Sequence, residues 1–318
     1  MTGMIVLDST RAVVEQATQV RIDDAAIERW ARDVAPRDLK GHDVELYGYL
    51  AGNEAKLANI ILLIDALNFC FWSSDPIRVE WRGRTYERFG AFFVSVILAA
   101  HGEPGWYDPR FWLDVSAEDI RAALGGRGEL LLMDERVHII RETARTLLDR
   151  FDGQFIHAIE SVSFRAWPLA VLLMTEFDSF RDVANYRGGV VYFMKRAQIC
   201  ALDIAVARQV HEQGALSGLD ELTAFADYRV PQILRHLGIL ELTPELAAMV
   251  DSETELATGG VGEVEIRAAS IQAVDRMVRR LQDTGKPASA WQVDVYLWER
   301  SHRETMAAKH HRTRTVYY

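Results

Sequence analysis

The segment from Phe225 to Pro231 holds the residues best suited to chemistry, because it places the carboxylate of Asp227 between two aromatic rings and beside an arginine. Pro231 fixes its own φ and suits the first turn of a helix, and it pushes Val230 toward extended geometry. Asp227 is therefore expected in the connection into this helix, facing the free N–H groups of the helix start. Two interpretations follow from the segment alone: Asp227 caps the helix while Phe225 packs in the core, or the carboxylate acts on a ligand held by other segments.

A second group of candidates consists of charged residues inside an apolar segment, residues 190–209. This segment is apolar nearly all round, which predicts a buried central helix. Its polar residues include Lys195, Arg196 and Asp203, and charges on a buried helix are costly unless they are bonded. Arg196 and Asp203 lie two turns apart on nearly the same face, so they are not expected to pair. An internal polar network and a ligand site both stay open for these two, while Lys195 is the most typical of a site.

Two further polar residues lie among aromatic side chains. Asn68 closes an apolar helical segment and is followed by three aromatic residues, the last of which is Trp72. Asp294 belongs to the last predicted helix, on the same face as Trp291 and Trp298 by the three- and four-residue spacings. Each polar group is therefore expected beside aromatic walls.

The segments that must position these residues are mainly helical in pattern. Beyond those already named, helices are predicted within residues 9–35, 87–101, 130–150, 155–176 with an interruption at Pro168, and 265–283. Alternating apolar residues before the turn at Arg82 and Gly83 predict a small β-hairpin as the main sheet element, and residues 177–189 are predicted to be a loop. Two short helices flank the Asp227 segment and resemble a helix–hairpin–helix arrangement. The fold class is thus predicted to be mainly α.

Length and charge limit the domain organisation and the partners. The chain has 318 residues with 49% hydrophobic residues, enough for one large helical domain over 1–318 that could divide into two closely packed lobes. The basic and polar tail over 303–318 is predicted to be frayed. A formal net charge of −10 argues against a polyanion partner, but a small anionic ligand in one basic pocket is compatible with it.

Cysteine content and hydropathy indicate the compartment. Cys70 and Cys200 both lie in apolar segments, which predicts two free thiols in a reducing compartment and no cysteine-based zinc site. We find no signal-peptide pattern and no apolar run long enough to span a membrane. A cytoplasmic protein without a membrane partner is expected.

Four motifs taken together resemble the queuosine salvage protein family, the queuosine 5′-phosphate N-glycosylase/hydrolases. They are residues 65–72, 194–199, 225–231 and 294–298, with supporting matches at 108–112 and 180–184. The resemblance covers about residues 40 to 300 and depends on the set. It implies a helical fold related to helix–hairpin–helix DNA glycosylases. It also implies a hydrolase that releases the base queuine from queuosine 5′-monophosphate, without a metal or other cofactor, for salvage into tRNA modification.

The resemblance also implies roles for individual residues. Asp227 would be the catalytic carboxylate and Phe225 would stack on the base. Asp294, Val295 and Glu299 would be the C-terminal contacts to the base. By residue type and position, we add Asn68, Trp72, Tyr296 and Trp298 as candidates for substrate binding. The 5′-phosphate needs cations, for which Lys195 is the first candidate and Arg196 and Arg229 are the next. The histidine that the family often carries before the Leu-Asn-Phe motif is absent from the aligned positions 47–49, and His42 lies farther upstream.

The chemistry of such a reaction suits these residues. Breaking an N-glycosidic bond passes through an oxocarbenium-like ribose, which the Asp227 carboxylate could stabilise or attack. A deazapurine lacks the N7 that most purine glycosylases protonate, so help for the leaving base must act elsewhere. A non-catalytic protein that binds queuine or its nucleotide is the main alternative, and an enzyme acting on DNA is disfavoured by the acidic charge.

Overall fold

The computed structural model describes residues 3–39, 44–50, 52–125 and 127–318, so His42 and Gly126 lie outside the described residues. The described part is mainly helical, as predicted. Its helices are α1 (Met4–Val14), α2 (Asp24–Asp33), α3 (Glu54–Ala66), α4 (Arg88–Gly102), α5 (Pro109–Trp112), α6 (Ala117–Ala123), α7 (Met133–Phe151), α8 (Phe155–Ser161), α9 (Ala166–Glu176), α10 (Lys195–Val210), α11 (Arg229–His236), α12 (Pro244–Asp251), α13 (Val261–Asp283) and α14 (Ala290–Arg303). Its strands are β1 (Val20–Ile22), β2 (Arg78–Trp81), β3 (Arg84–Glu87), β4 (Val183–Tyr186), β5 (Gly189–Tyr192) and β6 (Leu240–Leu242).

The strands pair as three two-stranded antiparallel sheets. The pairing of β2 with β3 confirms the predicted hairpin, with Trp81 opposite Arg84. It is not the main sheet element, because β4 and β5 form a second hairpin with the same number of paired residues. The hairpin of β4 and β5 replaces part of the predicted loop at 177–189. Its turn uses two left-handed residues, Arg187 at φ 49° and Gly188 at φ 85°. Arginine rarely takes this conformation, which is why the sequence did not reveal the hairpin.

Three helices form the centre of the core. Ten consecutive residues of α3, from Leu57 to Ala66, are buried, which the apolar run after Asn53 predicted. The Asn53 side chain begins this helix by accepting the backbone N–H of Lys56. The predicted central helix over 190–209 is α10, but it begins only at Lys195 because residues 190–192 belong to β5. α10 packs against α3 and α9, while α13 packs against α1 and α2. Buried charges on α10 and α13 therefore lie within the protein interior.

Two helix predictions need correction. The helix predicted at 155–176 is divided into α8 and α9 because Ser163 and Phe164 take the left-handed conformation, and Pro168 lies harmlessly in the first turn of α9. The helix predicted before Asp227 is only a three-residue 3₁₀ turn, Leu219–Glu221. A pair of α-helices around Asp227 is therefore not seen among the described residues.

The C-terminal segment differs from the predicted frayed tail. His311, Thr313 and Tyr318 are buried. The Tyr318 backbone carbonyl accepts the N–H of Cys70 at 2.9 Å, and its hydroxyl donates to Glu263 at 2.9 Å. The sequence did not predict that these side chains are buried, because most residues of the segment are charged or polar.

No helix in the described part of the chain is long and apolar enough to cross a bilayer. Cys70 and Cys200 are both buried and free, as predicted.

Candidate active site

Asp227 lies just before α11 and is buried, with 8% of its surface exposed. Its Oδ1 accepts the backbone N–H groups of Arg229 and Val230, both at 2.8 Å. The predicted contact with the helix start is thus present. Oδ2 receives no hydrogen bond from any described residue, so one oxygen holds the helix while the other is available to a ligand.

Two other helices hold the backbone around Asp227. Asp227 donates its own N–H to the Phe225 carbonyl at 2.7 Å, which closes a tight turn. The Phe225 N–H donates to Oδ1 of Asp294 on α14 at 2.8 Å, and the Ala226 carbonyl accepts Nε of Arg267 on α13 at 3.0 Å. Phe225 is itself buried. The turn is therefore positioned by contacts far apart in sequence.

Lys195, the first residue of α10, is the cation whose charge most strongly opposes the rise in the pKa of Asp227. Its Nζ donates to the backbone carbonyl of Asn68 at 3.0 Å and to Asn68 Oδ1 at 3.4 Å. Burial lowers the pKa of Lys195 to about 8, although the carboxylates of Asp227 and Asp65 counteract the effect. The amine therefore gains or loses its proton near neutral pH.

Asp227 and Asp294 have pKa values above the ordinary range of a carboxyl. Burial raises the pKa of Asp227, while Lys195 and the N–H groups of α11 oppose that rise. Burial and then the charge of Asp227 raise the pKa of Asp294 well above its usual value. Lys195, Asp227 and Asp294 thus influence one another, and we call them the carboxylate–lysine cluster.

Arg196 points away from this cluster into the core. Its guanidinium donates to the backbone carbonyls of Ala66 and Ser179 and lies over the rings of Phe69 and Phe180, 5.2 and 5.0 Å from their centroids. The sequence left two interpretations open for Arg196, an internal polar network and a ligand site. This geometry favours the internal polar network. A phosphate role would require it to leave these partners.

Asp203 belongs to the same interior network. It is buried about two turns along α10 from Lys195. Burial, followed by the charge of Asp65, raises its pKa well above the usual value. Burial also raises the pKa of Asp65 to about 7. Asn68 links this network to Lys195, because its Nδ2 donates to Asp65 Oδ1 at 3.4 Å.

Arg229 follows Asp227 and is half-buried. It donates to Gln232 Oε1 at 2.9 Å and to the backbone carbonyl of Ser301, while its Nε has no partner among the described residues. Burial lowers the pKa of Arg229, against the charge of Asp227. One buried donor near the turn is therefore left without a partner in the described part of the chain.

The predicted substrate-binding residues of α14 divide between two faces. Val295 is buried; Trp298 packs on His302 with ring centroids 4.3 Å apart, and Glu299 accepts a hydrogen bond from Arg303 at 2.8 Å. Tyr296 instead contacts Trp30 and lines a cleft of about 490 Å³ that neither Asp227 nor Lys195 lines. The structure does not bring Tyr296 together with the cluster.

Trp72 is buried beneath the C-terminal segment. The guanidinium groups of Arg312 and Arg314 each lie 5.5 Å from its ring centroid. Its indole Nε1 has no hydrogen-bond partner among the described residues.

Sequence reasoning missed an ion-pair centre below the turn. Arg267 donates to both carboxylate oxygens of Asp182, at 2.9 and 2.6 Å, and to Glu263 at 3.4 Å. Asp182 also accepts the backbone N–H of Lys195 at 3.1 Å. The four-residue spacing of Glu263 and Arg267 was a signal for this pair, but the link to Asp182 could not be read from spacing.

A second missed feature is the contact of the C-terminal segment with the turn. The His310 ring lies on Tyr228, with centroids 4.8 Å apart. Burial lowers the pKa of His310 to about 4, so this ring is neutral near pH 7. The segment thus covers the residue next to Asp227.

This arrangement offers a carboxylate fixed by a helix start, a second carboxyl and one buried amine. Such a site can stabilise positive charge that develops at a sugar carbon and can bind an anionic group on the same molecule.

The comparisons with known proteins agree with this chemistry. A family model described as queuosine salvage protein matches residues 49–318. A queuosine 5′-phosphate N-glycosylase/hydrolase of Sphaerobacter thermophilus is 40% identical over 98% of this chain and 97% of its own length. Proteins with the same description from Dictyostelium discoideum and Bos taurus are 31% and 29% identical; the match covers 99% and 98% of this chain and 98% of each relative.

Proposed function

The chain belongs to the queuosine salvage protein family, and on that premise we propose that it is an enzyme that hydrolyses the N-glycosidic bond of queuosine 5′-phosphate. The products are the base queuine and ribose 5-phosphate, and the base becomes available for tRNA modification. The observation that carries the proposal is the buried Asp227 carboxylate, whose Oδ1 is held by α11 while its Oδ2 makes no hydrogen bond to a described residue.

In this reaction Asp227 acts on the ribose. As the bond from the sugar to the base breaks, positive charge develops on the anomeric carbon and the ring oxygen. A carboxylate held beside that carbon lowers the energy of the transition state, because its orientation is set before the substrate binds. The two N–H groups of α11 supply that orientation.

The phosphate is assigned to the cations beside the turn. Lys195 is the first candidate, since the charge of Asp227 acts on its ammonium and Asn68 is the only residue in the described part of the chain to which that ammonium donates a hydrogen bond. Arg229 is the second, with its unpartnered Nε. Arg196 is less well supported, because its guanidinium is occupied by backbone carbonyls.

The base is assigned to the side of the turn that faces α14. The Phe225 N–H donates a hydrogen bond to Oδ1 of Asp294 on this helix. Val295, Trp298 and Glu299 continue along the same helix, and Asn68 and Trp72 complete the proposed wall. Tyr296 receives less support because it faces another cleft.

Three finer aspects remain part of the proposal. Kinship with helix–hairpin–helix glycosylases is supported by the position of Asp227 immediately before a short helix. A cytoplasmic location is supported by two buried free thiols. A free nucleotide rather than intact nucleic acid is the expected substrate, given the net charge of −10.

Mass spectrometry of the products tests the proposal. Purified protein is incubated with queuosine 5′-monophosphate and, in parallel, with the nucleoside queuosine. Release of queuine together with ribose 5-phosphate supports hydrolysis, with faster release from the nucleotide. Recovery of intact nucleotide bound to the protein would instead support a non-catalytic binding protein.

A further inference from the structure

The proposed hydrolysis leaves one requirement unassigned, and the inference below rests on that proposed function. A base that departs with the bonding electron pair leaves more easily when it receives a proton in the transition state. Glycoside hydrolysis commonly divides this work between two carboxyl groups, one acting on the sugar and one on the leaving group. Because the deazapurine lacks N7, the donor must reach an acceptor on the pyrimidine ring.

Asp294 is a second carboxyl built into the same turn as Asp227. Its Oδ1 accepts the N–H of Phe225 at 2.8 Å, and Phe225 in turn accepts the N–H of Asp227 at 2.7 Å. Two hydrogen bonds through one residue therefore fix the position of one carboxyl relative to the other. Asp294 is 4% exposed, and its Oδ2 makes no hydrogen bond with a described residue.

The partners of the two carboxyls decide which one is ionised. The ionised form of Asp227 is stabilised by two backbone N–H donors at the start of α11 and by the charges of Lys195 and Arg229. Asp294 has one N–H donor and shares Lys195. A single amine can balance only one of two buried carboxylates, so the better-supported group, Asp227, carries the negative charge.

The other charges around Asp294 do not change this balance. α14 packs against α11, α13 and the 3₁₀ turn Leu219–Glu221. From α13 the nearest buried cation is Arg267, which is paired with Asp182 and Glu263. In the 3₁₀ turn Asp220 is exposed, and Glu221 accepts a hydrogen bond from Arg165 at 2.9 Å. Lys195 is therefore the cation that offsets the burial of Asp294 and the charge of Asp227.

We propose that Asp294 is the general acid of the reaction and donates the proton on Oδ2 to the pyrimidine ring of the leaving base. The bond from the anomeric carbon to N9 breaks, and its electron pair goes to the base, which takes the proton of Asp294. A water molecule adds to the anomeric carbon and gives one proton to the carboxylate of Asp227. Transfer of that proton through solvent to Asp294 restores both groups.

Asp294→Asn tests this role. The amide keeps the Oδ1 acceptor for Phe225 N–H and can still hydrogen-bond to the base, but it has no acidic proton to transfer. We expect the single-turnover rate at saturating queuosine 5′-monophosphate to fall roughly 10²- to 10⁴-fold, while the dissociation constant of the nucleotide changes only a few-fold. A purely structural role would weaken binding and lower the melting temperature instead.

The pH profile supplies a second readout. The wild-type rate should fall as pH rises through the pKa of Asp294, because the proton to be donated is lost. That alkaline decline should be absent from Asp294→Asn. Asp294→Glu keeps a proton donor, so it should recover part of the rate and show the decline at a shifted pH. It also replaces the amide variant if that protein does not fold.

Two results would overturn the assignment. One is a rate within threefold of wild type in Asp294→Asn, and the other is equal loss of rate in the Asn and Glu variants with unchanged binding. Failure of the wild-type protein to release base at all would contradict the proposed function and is distinguishable from either result.

Discussion

Lys195 has two roles in the proposed site, one toward Asp227 and one toward the substrate phosphate. Its ammonium balances the carboxylate of Asp227, and we assign it to the phosphate as well. The sequence predicted its importance correctly in one respect, since a charge in an otherwise apolar helix must have a partner. It could not identify Asn68 as that partner, because the two residues are 127 positions apart in the sequence.

Substitution of Lys195 should affect the nucleotide more than the nucleoside. A hydrogen bond to a charged group contributes about 1.5–3 kcal/mol, so Lys195→Met should lower the ratio of kcat/KM for queuosine 5′-monophosphate over queuosine by roughly 10- to 100-fold. Lys56→Met, which removes a lysine on α3, is the matched control and should leave the ratio unchanged. An equal loss on both substrates would assign Lys195 to Asp227 alone.

The same residue predicts a pH dependence of substrate preference. Burial lowers the pKa of Lys195 to about 8, so its positive charge is present below that pH and is lost above it. The KM for the nucleotide should therefore rise between about pH 7 and 9 relative to the KM for the nucleoside. Parallel KM values for both substrates across this range would contradict the assignment.

At the scale of secondary structure, the site depends on elements that are distant in sequence. Arg267 on α13 connects Asp182, which holds the start of α10, to the Ala226 carbonyl in the catalytic turn. It is 2% exposed. The ion pair of Arg267 with Asp182 thus connects α13, the start of α10 and the turn that contains Asp227.

Removing the Arg267 guanidinium should destabilise the fold. Arg267→Met leaves the buried carboxylates of Asp182 and Glu263 unpaired, so we expect a loss of about 3–5 kcal/mol in the free energy of unfolding, measured by urea denaturation. Arg276→Met on the same helix breaks an exposed pair with Asp24 and should cost at most about 1 kcal/mol. Similar losses in both variants would show that the buried pair does not join the elements as described.

The elements themselves were predictable where one signal dominated. The buried run of α3, the helix α10 and the β2–β3 hairpin follow from periodicity and turn residues. The β4–β5 hairpin did not, because Arg187 occupies a left-handed position usually filled by glycine or asparagine. The C-terminal segment was misjudged because its anchors, such as Tyr318, are bonded to groups far away in the chain.

At the scale of the whole molecule, the net charge favours a free nucleotide over intact tRNA as the substrate. A net charge of −10 repels the phosphates of intact tRNA, whereas one buried amine beside the turn suits a single phosphate. The positions of Asp227, Lys195 and Asp294 within one cluster were expected from four motifs. Their hydrogen bonds to Phe225 and Asn68 required the folded chain.

Intact tRNA should therefore be neither a substrate nor a competitor. At about 0.15 M salt, queuosine-containing tRNA should yield no queuine and should not inhibit release from the monophosphate. Nuclease digestion of the same tRNA to nucleoside 5′-monophosphates should restore release. Queuine production from the intact tRNA would contradict the proposed substrate class.

The central claim is that Asp227 performs the chemistry in addition to holding α11, and Asp227→Asn tests it most directly. The amide oxygen can still accept the N–H groups of Arg229 and Val230, so the fold and nucleotide binding should be preserved. Single-turnover release of queuine from queuosine 5′-monophosphate should fall roughly 10²- to 10⁴-fold. The exposed Asp220→Asn serves as control and should match wild type. Undiminished release by a folded Asp227→Asn protein would contradict the claim and leave Asp227 as a helix cap alone.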